Sequence, residues 1–293
     1  MRIVFVADFF VEDGLLGGGE LNNDEVIRIL SNFGHEILKI NSSQVTPKFL
    51  HDNKDVSFII ANFIALARPC LDILTREVKY IIYEHDHKYL TTRDPATYKD
   101  FKAPSEHIIN YDFYKNALAV LCQSAFHANI VKKNLNLNNI VNLSGNLWSL
   151  ESLERIKTIS KKQKKNRCSI LDSNIQHKNT VGAIKYCKHK DIEYELVKSD
   201  VYYNFLEKLG SNESFVFFPQ TPETLSRVVV EARMMGMKTI TNNLIGAIGE
   251  PWFESKGIEL IEIFKKKRDE IPNIILNYFG FKFMIFHAPP FKL

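Results

Sequence analysis

Residues 215–252 read FVFFPQTPETLSRVVVEARMMGMKTITNNLIGAIGEPW, and the fold is decided here. The stretch opens on an apolar run, Phe215, Val216, Phe217 and Phe218, which stops at Pro219. After a polar loop the spacing predicts a helix over 223–235, closed by Gly236. A short strand at 238–241 then leads into a glycine-containing loop. Strand, loop, helix and strand in that order form the unit of a parallel α/β sheet, whose ligands sit at the carboxyl ends of the strands. A helix start there offers unpaired N–H groups and the positive end of the helix dipole, which suits a phosphate near Thr224, Leu225 and Ser226. Glu223 stands at the mouth, where it can meet a sugar hydroxyl or a phosphate-linked group. Glu231 lies two turns further on, about 12 Å along the axis. A carboxylate there can accept hydrogen bonds from vicinal ribose hydroxyls. On spacing alone a second reading has equal weight: Glu223 merely favours a helix start and Glu231 is a surface charge.

The same alternation extends outward. Residues 3–7 form an apolar run, followed by a loop with Gly14, Gly17, Gly18 and Gly19, a helix over 20–33 and a strand over 36–40. That is a βαβ unit. Further strands are expected at 55–61, 79–83, 117–122 and 139–143. Helices are expected at 63–75, at 107–116, and after the N-cap Ser124. The polar segment 84–104 is too long for a plain connection, and such loops commonly carry function. The second half repeats the pattern, with strands at 167–171, 192–197 and 257–263 and helices at 179–188, 201–209 and 265–279. Between the halves, 149–167 is rich in Lys and Ser and includes KKQKKNR. It reads as a solvated linker with at most one exposed helix; contact of the basic run with an anionic membrane is the second reading. The expected fold class is α/β, with two Rossmann-like, doubly wound parallel-sheet domains facing across a cleft. The first spans 1–148, the linker 149–166 and the second domain 167–264. A helix and tail at 265–293 pack back on the first domain. The cleft is the default ligand site.

The 293 residues suffice for two domains, and 45% hydrophobic with 25% charged residues excludes a disordered chain. The net charge of +4 is too mild to require nucleic acid, though it suits a polyphosphate. Cys70, Cys122, Cys168 and Cys187 are widely separated and show no metal-binding spacing. Buried reduced thiols are expected, which fits a cytoplasmic compartment, with peripheral contact at the inner face of the membrane as a further option. The first residues read as a strand rather than a signal peptide, and no run approaches the roughly 20 apolar residues that cross a bilayer. His85, Asp86, His87 and Lys88 open the long loop, but no third ligand is evident nearby and no metal is expected.

Glu223, Glu231, Ala232, Gly236 and the loop Asn243-Leu-Ile-Gly-Ala resemble the C-terminal signature of GT-B glycosyltransferases of the GT4-like, group 1 family. That signature is E-G-F-G-x4-E-A with a later G-x-P-V-I-x-[ST]-x-x-G-G. Gly17-Gly18-Gly19-Glu20 before Asn32-Phe-Gly-His-Glu resembles the family's N-terminal element. Cys122-Gln-Ser-Ala-Phe is similar to its strand-then-S-x-F element, and Lys178 stands where a phosphate-binding lysine follows the first strand of the second domain. The resemblance runs over residues 2–252. It implies transfer of a sugar from a nucleotide diphosphate sugar to a hydroxyl of a glycan or lipid-linked acceptor, with retention of configuration, no metal and no cofactor beyond the donor. It assigns Glu231 to the ribose, Glu223 to the donor sugar, the N–H groups of Leu225 and Ser226 to the diphosphate, and Lys178 to the leaving group. Gly18 and Gly19 would approach the donor phosphate or the acceptor. His85 or His87 would orient a hydroxyl, with Asp86 and Arg93 on the acceptor side. The chain departs from the pattern at Thr224 and Ser226, which replace both glycines. It departs again at Asp172 and Ser173, where the family carries an arginine. These departures motivate one alternative, a nucleotide-sugar-binding protein without turnover; another GT-B enzyme, such as a nucleotide-sugar epimerase, is a further one.

Overall fold

Every residue of the run 3–7 is fully buried in β1 (Arg2–Ala7), so the strand needs no polar face. In the computed structural model, which describes residues 1–14 and 17–281, β1 is the first strand of a six-stranded sheet. Between the strands run α1 (Gly18–Asn32), β2 (Glu36–Asn41), α2 (Pro47–Asp52), β3 (Ser57–Ile60), α3 (Arg68–Glu77), β4 (Lys79–Tyr83), α4 (Tyr111–Asn116), β5 (Val120–Cys122), α5 (Ala125–Leu135) and β6 (Ile140–Asn142). All neighbours pair in parallel, in the order β2-β1-β3-β4-β5-β6. Period-two alternation divides the core. Val4, Val6, Phe58, Ile60, Tyr80 and Ile82 pack with Leu71, Leu74 and Val131 on one face. Ile3, Phe5, Ile59, Ile81 and Tyr83 pack with Val26, Ile29 and Leu30 on the other.

The second unit follows as α6 (Leu150–Ser160), β7 (Lys165–Leu171), α7 (Thr180–His189), β8 (Tyr194–Val197), α8 (Tyr202–Leu209), β9 (Asn212–Phe217), α9 (Arg227–Met234), β10 (Lys238–Thr241) and α10 (Gly257–Tyr278). Its sheet is again parallel, in the order β10-β9-β7-β8. Both sheets start centrally, step one strand outward, then cross to the other side. The order therefore reverses between β1 and β3, and between β7 and β9, and a crevice opens beyond the strand ends at such points. The first half of α10 packs Leu260, Ile261 and Phe264 against the second unit. Its second half carries Ile271, Ile275 and Leu276 onto the first. The four cysteines are buried and free. No helix among the described residues is long and apolar enough to cross a membrane.

The structure corrects several sequence expectations. The segment 149–166 is not a solvated linker, because α6 buries Leu153, Ile156 and Ile159 in the second core. Their i, i+3 spacing is helical, but the surrounding lysines and serines hide it. No strand occupies 257–263: those residues begin α10, with Leu260, Ile261 and Phe264 on one buried stripe. The helix expected from 63 begins at Arg68, because Ile64 and Ala65 instead give their N–H groups to Asp8. The helix expected from 107 begins at Tyr111, after Asn110 in the left-handed conformation. The expected packing of the tail concerns residues 282–293, which lie outside the described residues.

Candidate active site

Lys178 and Glu223 come from the loops after β7 and β9, on either side of the second reversal point. A tight turn, Gln176–Lys178, ends at left-handed Asn179, whose side chain caps α7 by accepting from Gly182 N at 3.1 Å. This holds Lys178 with its Nζ 2.7 Å from Glu223 Oε1. Glu223 is itself fixed by backbone pairing, donating to Leu244 O at 2.8 Å and accepting from Gly246 N at 2.9 Å. The helix predicted from 223 is thus corrected: Glu223 bridges Ile245 like a strand residue, and α9 begins only at Arg227. Ser226, at φ 72°, makes the turn into it. The N–H groups of residues 224–228 have no acceptor among the described residues. Leu225 offers only that N–H, since its side chain is wholly buried in the second core.

Glu231, one turn into α9, is buried, and its Oε1 is crowded with donors. Trp148 Nε1 lies 2.9 Å away, the Tyr202 hydroxyl 2.6 Å and Arg227 Nε 3.1 Å. Oε2 has no partner among the described residues. The Arg227 guanidinium also lies 4.1 Å from the centre of the Trp148 ring and donates to Leu147 O at 2.7 Å. Of these donors, only Arg227 was signalled in the sequence, by its i, i+4 spacing to Glu231. Trp148 and Tyr202 reach the site from other elements. Lys178, Glu223, Thr224, Ser226 and Glu231 all border one cavity of about 660 Å³.

The first domain closes that cavity with Gly18, Gly19 and His85. A Cβ on Gly18 would sit 3.5 Å from Arg227 Cδ, and one on Gly19 would sit 3.6 Å from the His85 ring, so the glycine loop is in close contact with both. His85 lies 5.1 Å from the Tyr83 ring, nearly parallel to it. Its Nδ1 is 2.7 Å from Gln123 Nε2, which can only donate, and its Nε2 is 2.7 Å from Asn23 Oδ1, which can only accept. The ring is therefore neutral with its proton on Nε2, and both nitrogens are already used. Burial and the neighbouring Lys88 push its pKa down to about 3. His85 is a fixed floor rather than a free acid or base.

His87 borders a second cavity, of about 400 Å³, that shares His85, Lys178, Glu223 and Thr224 with the first. Its Nδ1 is 3.0 Å from the Tyr89 hydroxyl, while Nε2 has no partner among the described residues. Asp86 and Arg93 border the same cavity and are paired with each other, Arg93 Nε lying 3.2 Å from Asp86 Oδ2. Lys88 Nζ bridges Asp86 and Glu84 at 2.6 Å each. Burial alone would raise the Asp86 carboxyl, but Lys88 and Arg93 hold it well below the usual carboxylate range. Burial raises the Glu84 carboxyl instead. Among the described residues no cluster of three or more His, Cys, Asp or Glu side chains could hold a metal.

Thr224 joins the two domains. Its hydroxyl lies 3.2 Å from His85 O and 3.3 Å from Gln123 Oε1, and its carbonyl accepts from Ser124 Oγ at 2.6 Å. Only glycine fits at 246, where a Cβ would meet Thr224 O at 2.4 Å and Ser124 Oγ at 2.5 Å. Beside it the buried Glu250 accepts from Ala125 N and from the Ser144 hydroxyl. Trp252 packs edge-on against Phe264 and donates to Ser144 O at 2.9 Å.

Neutral buried histidines make this fold acid-sensitive. The folded values, about 3 for His85 and about 4 for His87, lie below the ordinary 6.5, chiefly through burial. Between these values the unfolded chain binds more protons, so stability rises with pH. The contribution is complete above 6.5 and is lost as pH falls. By pH 5 each histidine is expected to have withdrawn about 2 kcal/mol. Melting temperature should therefore fall between pH 7 and pH 5, and His87→Gln should flatten that slope. An unchanged slope in the variant would show that His87 is not the group responsible.

No protein-family model and no curated protein matches the chain. Among solved structures it is similar to Alr3699/HepE of Anabaena in complex with UDP and glucose, at 12% identity, over 95% of this chain and 92% of that one, with a TM-score of 0.52. The same protein in complex with UDP-glucose gives the same figures. The apo form of the lipopolysaccharide outer core galactosyltransferase WaaB matches at 12% identity over 94% and 91%, with a TM-score of 0.49. The fold is thereby established as GT-B, with two Rossmann-like domains across a cleft.

Proposed function

We propose that the protein transfers a sugar from a nucleotide diphosphate sugar to a hydroxyl of a glycan or lipid-linked acceptor, with retention and without a metal. One observation carries this reading. Around a single cavity stand a lysine–glutamate pair at a sheet reversal point, a run of free backbone N–H groups at the start of α9, and a buried glutamate with one oxygen unengaged. These are the parts a sugar, a diphosphate and a ribose require, in that order from Glu223 to Glu231. Alr3699/HepE, with the same fold, was solved with UDP-glucose. Lys178 and the free N–H groups would stabilise charge on the departing diphosphate, and closure between the domains would exclude water. His85, with both nitrogens bonded, would shape the sugar pocket.

A second reading, donor binding without turnover, is favoured by Thr224. Its side chain fills the gap between the domains where the family has glycine, and no arginine stands at Asp172 or Ser173. One assay separates the readings. The purified chain is incubated with nucleotide sugars and acceptor extracts, and nucleoside diphosphate release is followed. Release that depends on acceptor and is lost in Glu223→Gln is expected. Donor binding with no release from any acceptor would leave the binding-only reading standing, and conversion of the donor without acceptor would indicate an epimerase.

A further inference from the structure

The hydrogen bonds around Glu231 reach further than the presence of a ribose-binding glutamate. A carboxylate has about four lone-pair directions, two on each oxygen. Oε1 already receives Trp148, Tyr202 and Arg227 within 3.1 Å, so it has no capacity left. Only Oε2 is free to meet a ligand, and a vicinal diol presents two hydroxyls. Trp148 and Arg227 carry donors only and cannot accept from either hydroxyl. Tyr202 differs: its proton goes to Oε1, but its oxygen keeps acceptor capacity. The Tyr202 side chain is partly exposed and borders the same cavity as Glu231. Burial beside Glu231 raises its pKa, so the phenol keeps the proton it donates.

We propose that Tyr202 and Glu231 read the ribose as a pair, one hydroxyl donating to Glu231 Oε2 and the other to the Tyr202 oxygen. Trp148 and Arg227 are positioning residues: by filling Oε1 they turn Oε2 toward the cavity. The site would therefore select ribonucleotides over deoxyribonucleotides through two acceptors from different helices, α9 and α8. This rests on the nucleotide-sugar reading above.

The test is calorimetric titration of the full chain with ADP, GDP, UDP and CDP, then with the 2′-deoxy and 3′-deoxy forms of those that bind. The parent is expected to prefer the ribonucleotide by about 10-fold or more over each deoxy form. In Tyr202→Phe, discrimination at one of the two positions should fall to within about twofold while the other persists. A purely structural role for Tyr202 would weaken all three ligands alike and leave both ratios unchanged, and that result overturns the proposal. Binding with no ribose preference in the parent also overturns it, without touching the transferase reading. If none of the four diphosphates binds, the nucleotide-sugar reading falls and this one falls with it.

Discussion

Lys178→Ala is expected to lower the rate of nucleoside diphosphate release by about 10²–10³-fold, the scale seen when one preorganised charge-stabilising group is removed. Affinity for the donor should change much less. The reason lies in what Lys178 touches before any donor arrives. Its ammonium is paired with Glu223 at 2.7 Å, and Glu223 is itself held by the backbone pairing of residues 223 and 244–246. The lysine is thus already aimed at the cavity, and in the proposed transfer it would need no reorganisation as charge develops on the leaving diphosphate. An interaction that strengthens only as the bond breaks appears in kcat rather than in KM. Lys178 is partly exposed, so its removal should cost little stability, and a melting curve near that of the parent would establish that the lost rate is not lost fold. Lys178→Arg should recover part of the rate, because the charge returns with a different reach. A fall of less than about threefold in Lys178→Ala would mean that the ion pair is structural and that the free N–H groups of 224–228 alone support departure.

The features legible in the sequence were those set by neighbours in the chain. Buried parallel strands read as apolar runs, helices as i, i+3 and i+4 spacing, and both sheets follow from their alternation. Glu223 and Glu231 stood out beside the strand and helix predicted around them, whereas Lys178 was singled out only by the family resemblance. The remaining features depend on contacts made across the molecule. The start of α9 moved to Arg227 because Glu223 pairs with Ile245 and Leu225 is drawn into the core, neither of which spacing can reveal. Trp148 reaches Glu231 across 83 residues of sequence and Tyr202 across 29. The roles of His85 and His87 were open in the sequence because both follow β4 in one polar loop. The fold separates them, giving His85 two partners in the first cavity and leaving His87 Nε2 with none among the described residues beside the second. Thr224 is the reverse case. It looked like a departure from a glycine pattern, and in three dimensions its hydroxyl spans the two domains.

The largest loss of stability is expected from Glu25→Ala, at about 3–5 kcal/mol. Glu25 on α1 pairs with Arg268 from the second half of α10, and both side chains are almost wholly withdrawn from water. Arg28 also donates to Glu25 Oε2, at 2.9 Å. Deleting the carboxylate leaves the Arg268 guanidinium buried with, among the described residues, only Trp148 O to accept from it. A loss of this size is a large part of the total of about 5–15 kcal/mol that holds a typical domain together. The cost lies in the stranded charge rather than in the lost attraction. Removing both charges together, as Glu25→Leu with Arg268→Met, should therefore return most of the stability. Urea unfolding of the two single variants and the double variant measures this as a coupling energy. If Glu25→Ala costs under about 1 kcal/mol, the pair is not holding α10 against the first domain. The damage should also reach the donor side. Arg268 holds the carbonyl of Trp148, and the indole of the same residue fills Oε1 of Glu231. A chain that remains folded without Glu25 should bind nucleoside diphosphates more weakly, whereas the double variant, which loses that hold on Trp148 as well, should regain stability without regaining full affinity.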